Sequence, residues 1–229
     1  MQLKDVIAEL KSMGNPKAAA GMARYGIKAD RVLGVSIPQL QGLAKEIGKS
    51  HKFAGELWSS AVHEARILAC MIDDPQQITA DRLERWVTEF DSWDLCDQCC
   101  NRLFRKTPFA RQKALDWASR PEEFVKRAGF VLMAVLAVHA KSAPDKQFDP
   151  FFKCIKAGAD DERNFVKKAV NWALRQIGKR NLSLNKKAIR VAEEIQQLES
   201  RAARWVAGDA LRELRSENVQ KRVSGRAKR

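Results

Sequence analysis

"FVKRAGFVLMAVLA", Phe124 to Ala137, and "FVKKAVNWALRQIG", Phe165 to Gly178, align without a gap at an offset of 41 residues, counted from Phe124 to Phe165. Both open Phe-Val-Lys-basic-Ala, and both carry apolar residues at the i, i+3, i+4, i+7 spacing of one buried helix face. A looser copy, "AARWVAGDALREL", begins at Ala202. Helix-bearing units repeated about every forty residues are the signature of HEAT and armadillo arrays, in which each unit buries its apolar face only against its neighbours. Chance likeness between amphipathic helices is the competing account, and the matched openings weigh against it. The fold expected is all-α: a curved α-solenoid of HEAT-like helical repeats with a concave side.

The rest of the chain agrees. "LKDVIAELKSM", "IPQLQGLAKEIG", "HKFAGELWSS", "VHEARILACMI", "TADRLERWVTEF", "NKKAIRVAEEIQQL" and "RAARWVAGDALREL" share the helical spacing, and no segment shows strand alternation. Ser36 before Pro38, Thr79 before "ADRLE" and Asp160/Asp161 before "ERNFVKKAV" stand where helix N-caps belong. One repeat domain is expected over residues 1–216. Residues 217–229, ending in "KRVSGRAKR", form a basic C-terminal tail, read either as a solvated end or as a weak phosphate contact.

With 229 residues, 45% of them hydrophobic, the chain can bury a sizeable core. It has no apolar run of membrane-spanning length, and its charged N-terminus "MQLKDVIAEL" does not resemble a secretion signal. No membrane is therefore expected, and the localisation expected is cytoplasmic. Forty-two Lys and Arg against 28 Asp and Glu give a net charge of +14 and a pI near 9.8, which favours a polyanion, most often nucleic acid. Five cysteines, an odd number, fit a reducing compartment and small buried side chains better than a disulfide framework. "CDQCC" lacks a second ligand pair for zinc, and His51, His63 and His139 are scattered, so no metal is expected.

"FDSWDLCDQCC", Phe90 to Cys100, is the stretch that carries chemistry. If helical from about Ser92, it sets Trp93 and Asp97 one turn apart on one face beside an apolar stripe of Leu95, Cys99 and Leu103. An indole and a carboxylate together suit a cation, such as the oxocarbenium that forms when an N-glycosidic bond of deoxyribose breaks. From position alone a plainer account ranks ahead: Trp93 packs in the core and Asp97 caps a helix or pairs with an arginine.

The order of motifs decides between them. "MARYGI" with "LGVSIPQLQGLAKEI", then "ELWSS", "SWDLCD", "VKRAGFVL" and "NFVKKAVNWALRQIGK" run from Met22 to Lys179, and in this order the chain resembles the AlkD-type DNA alkylation-repair glycosylases, built from HEAT-like repeats. The resemblance implies that Trp93 and Asp97 are the catalytic aromatic and carboxylate, that Arg127 holds the lesion-bearing strand, and that Trp172 presses on the lesion's sugar-phosphate. It places Tyr25 and Ser36 at DNA contacts, with Phe165, Lys167, Lys168, Arg175 and Lys179 along the Trp172 segment as a DNA-binding face. It also implies a monomer acting on duplex DNA containing alkylated bases, with no cofactor and no specific protein partner. The family leaves the damaged base outside any pocket, so a lesion's charge and duplex instability would guide it. A catalytically silent HEAT protein for branched or distorted DNA is the first alternative, and a protein-binding scaffold the second.

Overall fold

In the computed structural model, which describes residues 2–27 and 31–226, the amphipathic segments are helices and no strand occurs among the described residues. The chain divides at Pro108 into two compact units.

The first unit holds α1 (Leu3–Ser12), α2 (Pro16–Ala23), α3 (Ile37–Ile47), α4 (His51–Ser59), α5 (His63–Ile72), α6 (Ala80–Thr88) and α7 (Trp93–Arg102), with a 3-10 turn at Phe104–Lys106. Helices α3, α5 and α7 pack in succession, and α4 backs α5. Polar bonds between successive layers recur at one separation, 31 residues: Leu33 with Glu64, Trp58 with Glu89, His63 with Asp94 and His51 with Arg82. Trp58 and Trp86 stack with ring centroids 4.0 Å apart and planes 2° from parallel. Arg66 lies 5.1 Å from the Trp58 ring and Arg82 4.7 Å from that of Trp86, so each outer indole face meets a cation.

The second unit holds α8 (Ala110–Ala118), α9 (Glu123–His139), α10 (Asp149–Ala157), α11 (Asn164–Gly178), α12 (Leu182–Gln196), α13 (Arg201–Leu214) and α14 (Glu217–Arg226). Here α9, α11 and α13 pack in succession, with α8, α10 and α12 backing them. The recurring separation is longer, 38 residues, as in Asn171 with Asp209, Arg175 with Glu213 and Lys156 with Glu194. Gly129 lets α8 and α9 touch: a Cβ there would stand 2.4 Å from the Ala118 nitrogen.

Three expectations are corrected. The basic tail is helical as far as Arg226, because Val219 and Val223, one turn apart, bury a narrow stripe that the flanking charges mask; α14 packs on α12 and α13. Residues 227–229 of that tail lie outside the described residues. The cysteines are not all free thiols: Cys70 on α5 and Cys99 on α7 are disulfide-bonded, because the packing of these helices brings their Cα atoms to 5.3 Å. Burial is nevertheless as expected for Cys70, Cys96, Cys99 and Cys100, all fully enclosed. Finally, Arg163 rather than an aspartate is the α11 N-cap; Asp161 accepts instead from the Arg163 backbone and guanidinium.

Candidate functional site

Helix α7 begins at Trp93, with Ser92 as its N-cap. Leu95, Cys96, Cys99 and Cys100 bury its inner side completely, which leaves Trp93 and Asp97 half-buried on the flank, one turn apart. The Trp93 indole N–H donates to the Tyr25 carbonyl at 2.9 Å, while the Tyr25 ring is 69% exposed. A buried pair fixes the helix start: His63 Nε2 lies 2.8 Å from Asp94 Oδ2, with His63 5% exposed. Burial alone would lower the His63 pKa, but the hydrogen bond and charge of Asp94, with the charges of Glu64 and Asp91, raise it above the ordinary histidine value. For Asp94, burial works upward, and the hydrogen bond and charge of His63 bring it below the ordinary carboxylate value.

Next to His63, the buried Glu64 carboxylate accepts from the backbone N–H groups of Leu33, Gly34 and Val35 at 2.9, 2.7 and 3.3 Å. Gly34 supplies the positive φ of 78° that this loop requires. The loop ends at Ser36, the exposed N-cap of α3, whose hydroxyl lies 2.6 Å from the Gln39 side-chain oxygen. Thus Tyr25, Ser36, Trp93 and Asp97 all sit in the first unit, on segments tied to α5 and α7.

The other candidate residues belong to the second unit. Arg127 on α9 is 5% exposed and donates through Nη1 to the Phe165 carbonyl at 2.6 Å, a more enclosed placement than the strand-holding role implies. Phe165 opens α11 with its ring 5.7 Å from that of Phe124. Trp172 is half-buried on α11, Lys168 is exposed, and the Lys167 ammonium lies 5.8 Å from the Trp205 ring. Arg175 and Lys179 both bond Glu213 on α13, and Arg175 Nη1 is also 3.6 Å from Asp209. Their charges join α11 to α13, on the segment where the resemblance places a DNA-binding face. Burial works upward on the Glu213 carboxyl, yet these two cations hold it below the ordinary carboxylate value.

Sequence reasoning missed His63, Glu64 and Asp94. The signal was present only as the 31-residue spacings from His63 to Asp94 and from Leu33 to Glu64, which have no meaning until successive helices are known to pack. Among the described residues, no group of three or more His, Cys, Asp or Glu side chains is placed to hold a metal ion, and no helix is long and apolar enough to cross a membrane.

A solved structure described as a new family of proteins related to the HEAT-like repeat DNA glycosylases, with affinity for branched DNA structures, matches with a TM-score of 0.77 at 20% identity, covering 93% of this chain and 95% of that one. The likeness establishes the HEAT-like repeat fold. Two designed armadillo repeat proteins, one in complex with a (KR)4 peptide, match at TM-scores of 0.37 and 0.36 and 14% identity, covering 76% and 81% of this chain and 91% and 88% of theirs. No curated protein sequence matches the chain. The model of the DNA alkylation repair enzyme family matches residues 6–221, and the chain therefore belongs to that family.

Proposed function

We propose that this protein is a monofunctional DNA glycosylase that excises positively charged alkylated purines, of the 3-methyladenine and 7-methylguanine type, from duplex DNA without a metal or organic cofactor. The observation that carries the proposal is the pairing of Trp93 and Asp97 on the half-exposed flank of a helix whose opposite side is wholly buried. A cationic purine needs no protonation to leave. As the C1′–N bond breaks, the base keeps the bonding pair and departs neutral, and positive charge develops on the sugar. The Asp97 carboxylate and Trp93 π face stabilise that charge, and Asp97 orients a water whose oxygen bonds C1′ and whose proton is released. Trp172 and Arg127 enter through the family resemblance, as contacts to the lesion's sugar-phosphate and strand. Lysine is not the nucleophile, so no strand-nicking step follows.

The test is release of free bases from methylated duplex by the purified chain and by Asp97→Asn. The variant is expected to lose most base release while still binding the modified duplex; equal release by both proteins would show the carboxylate idle. The second reading, a non-catalytic protein for branched or distorted DNA, draws on the affinity described for the structural neighbour. Salt-sensitive DNA binding with no base release by the parent chain would select it.

A further inference from the structure

The C-terminal ends of α3, α5 and α7, with the 3-10 turn after α7, surround a cavity of about 410 Å³. Its lining includes four cations, Lys45, Lys49, Arg102 and Lys106, and no carboxylate. Helix C-termini attract cations, and that accounts for part of the cluster. Lys49 donates to the carbonyls of Met71 and Asp73 at 2.9 and 2.8 Å, closing the end of α5, and its charge also acts on the exposed Asp74. Arg102 bonds Gln98 at 3.1 Å and, with the Gln41 amide oxygen turned toward it, Gln41 at 3.2 Å. The side-chain ammonium groups of Lys45 and Lys106 make no hydrogen bond or ion pair among the described residues. Burial first, then the charges of Lys49, Arg105 and Arg102, push the Lys106 pKa below the ordinary lysine value.

The second unit supplies a contrast. Its cavity of about 480 Å³ at the ends of α9 and α11 is also basic, but of its four lining cations, Lys141, Lys179, Arg180 and Arg222, the last three are engaged by the protein. Arg180 donates to the carbonyls of Ala137, Ala140 and Ala143, Lys179 bonds Glu213, and Arg222 donates to the Lys179 carbonyl. The first-unit cavity instead keeps a surplus of positive charge facing a space large enough for a ligand.

We propose that the first-unit cavity is a phosphate site separate from the Trp93–Asp97 centre, and that it takes a phosphodiester of a DNA strand. Lys45 and Lys106 offer point charges to phosphate oxygens, and Arg102, held in place by Gln41 and Gln98, adds a third fixed positive charge beside them. Arg102 lies five residues beyond Asp97 on α7, about 7.5 Å along the axis and about 140° around it, so the cavity and the Trp93–Asp97 centre occupy different flanks of the same helix. This inference rests on the proposed DNA-binding function, and it concerns unmodified backbone rather than the lesion.

The test compares the full chain with Lys45→Gln/Lys106→Gln and with a charge-matched control, Lys17→Gln/Lys52→Gln, at exposed positions of the same unit. Unmodified duplex affinity is read by fluorescence anisotropy across a salt series, and inorganic pyrophosphate binding by calorimetry. The cavity variant is expected to bind duplex about tenfold more weakly, with a salt slope reduced by about 1.8 for two lost phosphate contacts, and to lose saturable pyrophosphate binding. A duplex affinity within twofold of the parent, or an equal loss in the control, overturns the site. Saturable pyrophosphate binding with unchanged duplex affinity assigns the cavity to a free phosphoanion and overturns the strand assignment. Base release from methylated duplex, measured in parallel, separates the two proposals. Release with unchanged duplex affinity sinks only this site; lost duplex affinity in the variant of a parent that releases nothing sinks only the glycosylase.

Discussion

Replacing His63 with alanine strips Asp94 of the partner that fixes the start of α7. The two side chains are 5% and 16% exposed and 2.8 Å apart, so the deletion leaves a largely enclosed carboxylate with no opposite charge beside it. Removing one partner of a fully buried pair costs about 3–5 kcal/mol, and because water reaches part of Asp94 we expect about 2–3 kcal/mol here. For a chain of this length that lowers Tm by roughly 6–9 °C. The pH dependence follows from both shifts. His63 is raised in the folded state, so its contribution is full below about pH 6.5, the unfolded value, and is lost as pH rises through the folded one. Asp94 is depressed, so its contribution is full above about pH 3.9 and is lost as pH falls through its folded value. The pair is therefore worth most between about pH 4 and 6.5. Thermal unfolding followed by circular dichroism at pH 5.5 and pH 9, for the parent, His63→Ala, Asp94→Asn and the double variant, gives the coupling directly. A coupling near zero at pH 5.5, or one that does not shrink at pH 9, would refute the ion pair as the anchor of α7.

Two further outcomes follow from the first unit. Trp58→Ala removes the 3%-exposed indole that stacks on Trp86, meets Arg66 and donates to Glu89 at 3.0 Å; urea unfolding should show a loss of about 3–5 kcal/mol, and a loss under about 1 kcal/mol would mean the stack carries little. Reducing the Cys70–Cys99 bond opens a loop of 29 residues, for which chain entropy sets a loss of about 3.5 kcal/mol. Alkylating the denatured, unreduced protein should modify three cysteines, and modification of all five would exclude the bond.

What the sequence made legible was the long, periodic part. Helices α9 and α11 were readable because their stripes persist over several turns, whereas a helix from about Ser92 was only a supposition, resting on the spaced stripe of Leu95, Cys99 and Leu103. The short helices were harder. In α2 and α10 a proline occupies the first turn and the whole helix is only eight or nine residues long, and α8 carries little amphipathic contrast. The repeat was visible only in the second unit; the first has a shorter spacing between bonded layers and no matching pair of openings to betray it. Arg175 and Lys179 read as a DNA-facing row because Asp209 and Glu213, their partners, are 34 and 38 residues downstream, a distance that only helix succession closes.

The same succession explains how a short helix can hold the proposed Trp93–Asp97 centre in place. Helix α7 has ten residues, too few to be stable alone in water, so its geometry must be supplied by what it touches. Three tethers of different chemistry converge on it from residues distant in sequence: the His63–Asp94 pair at its first turn, the Trp93 indole on the Tyr25 carbonyl, and the Cys70–Cys99 bond one turn before its end. Each constrains a different degree of freedom, respectively the helix start, the indole plane and the separation from α5. Asp97 lies between the first and last of them, and stabilising a transient sugar cation requires a carboxylate that need not reorganise as the charge appears. On the proposed role of Asp97, loosening any single tether should lower base release more than it lowers duplex binding, because binding would draw on many dispersed cations and excision on the placement of one anion.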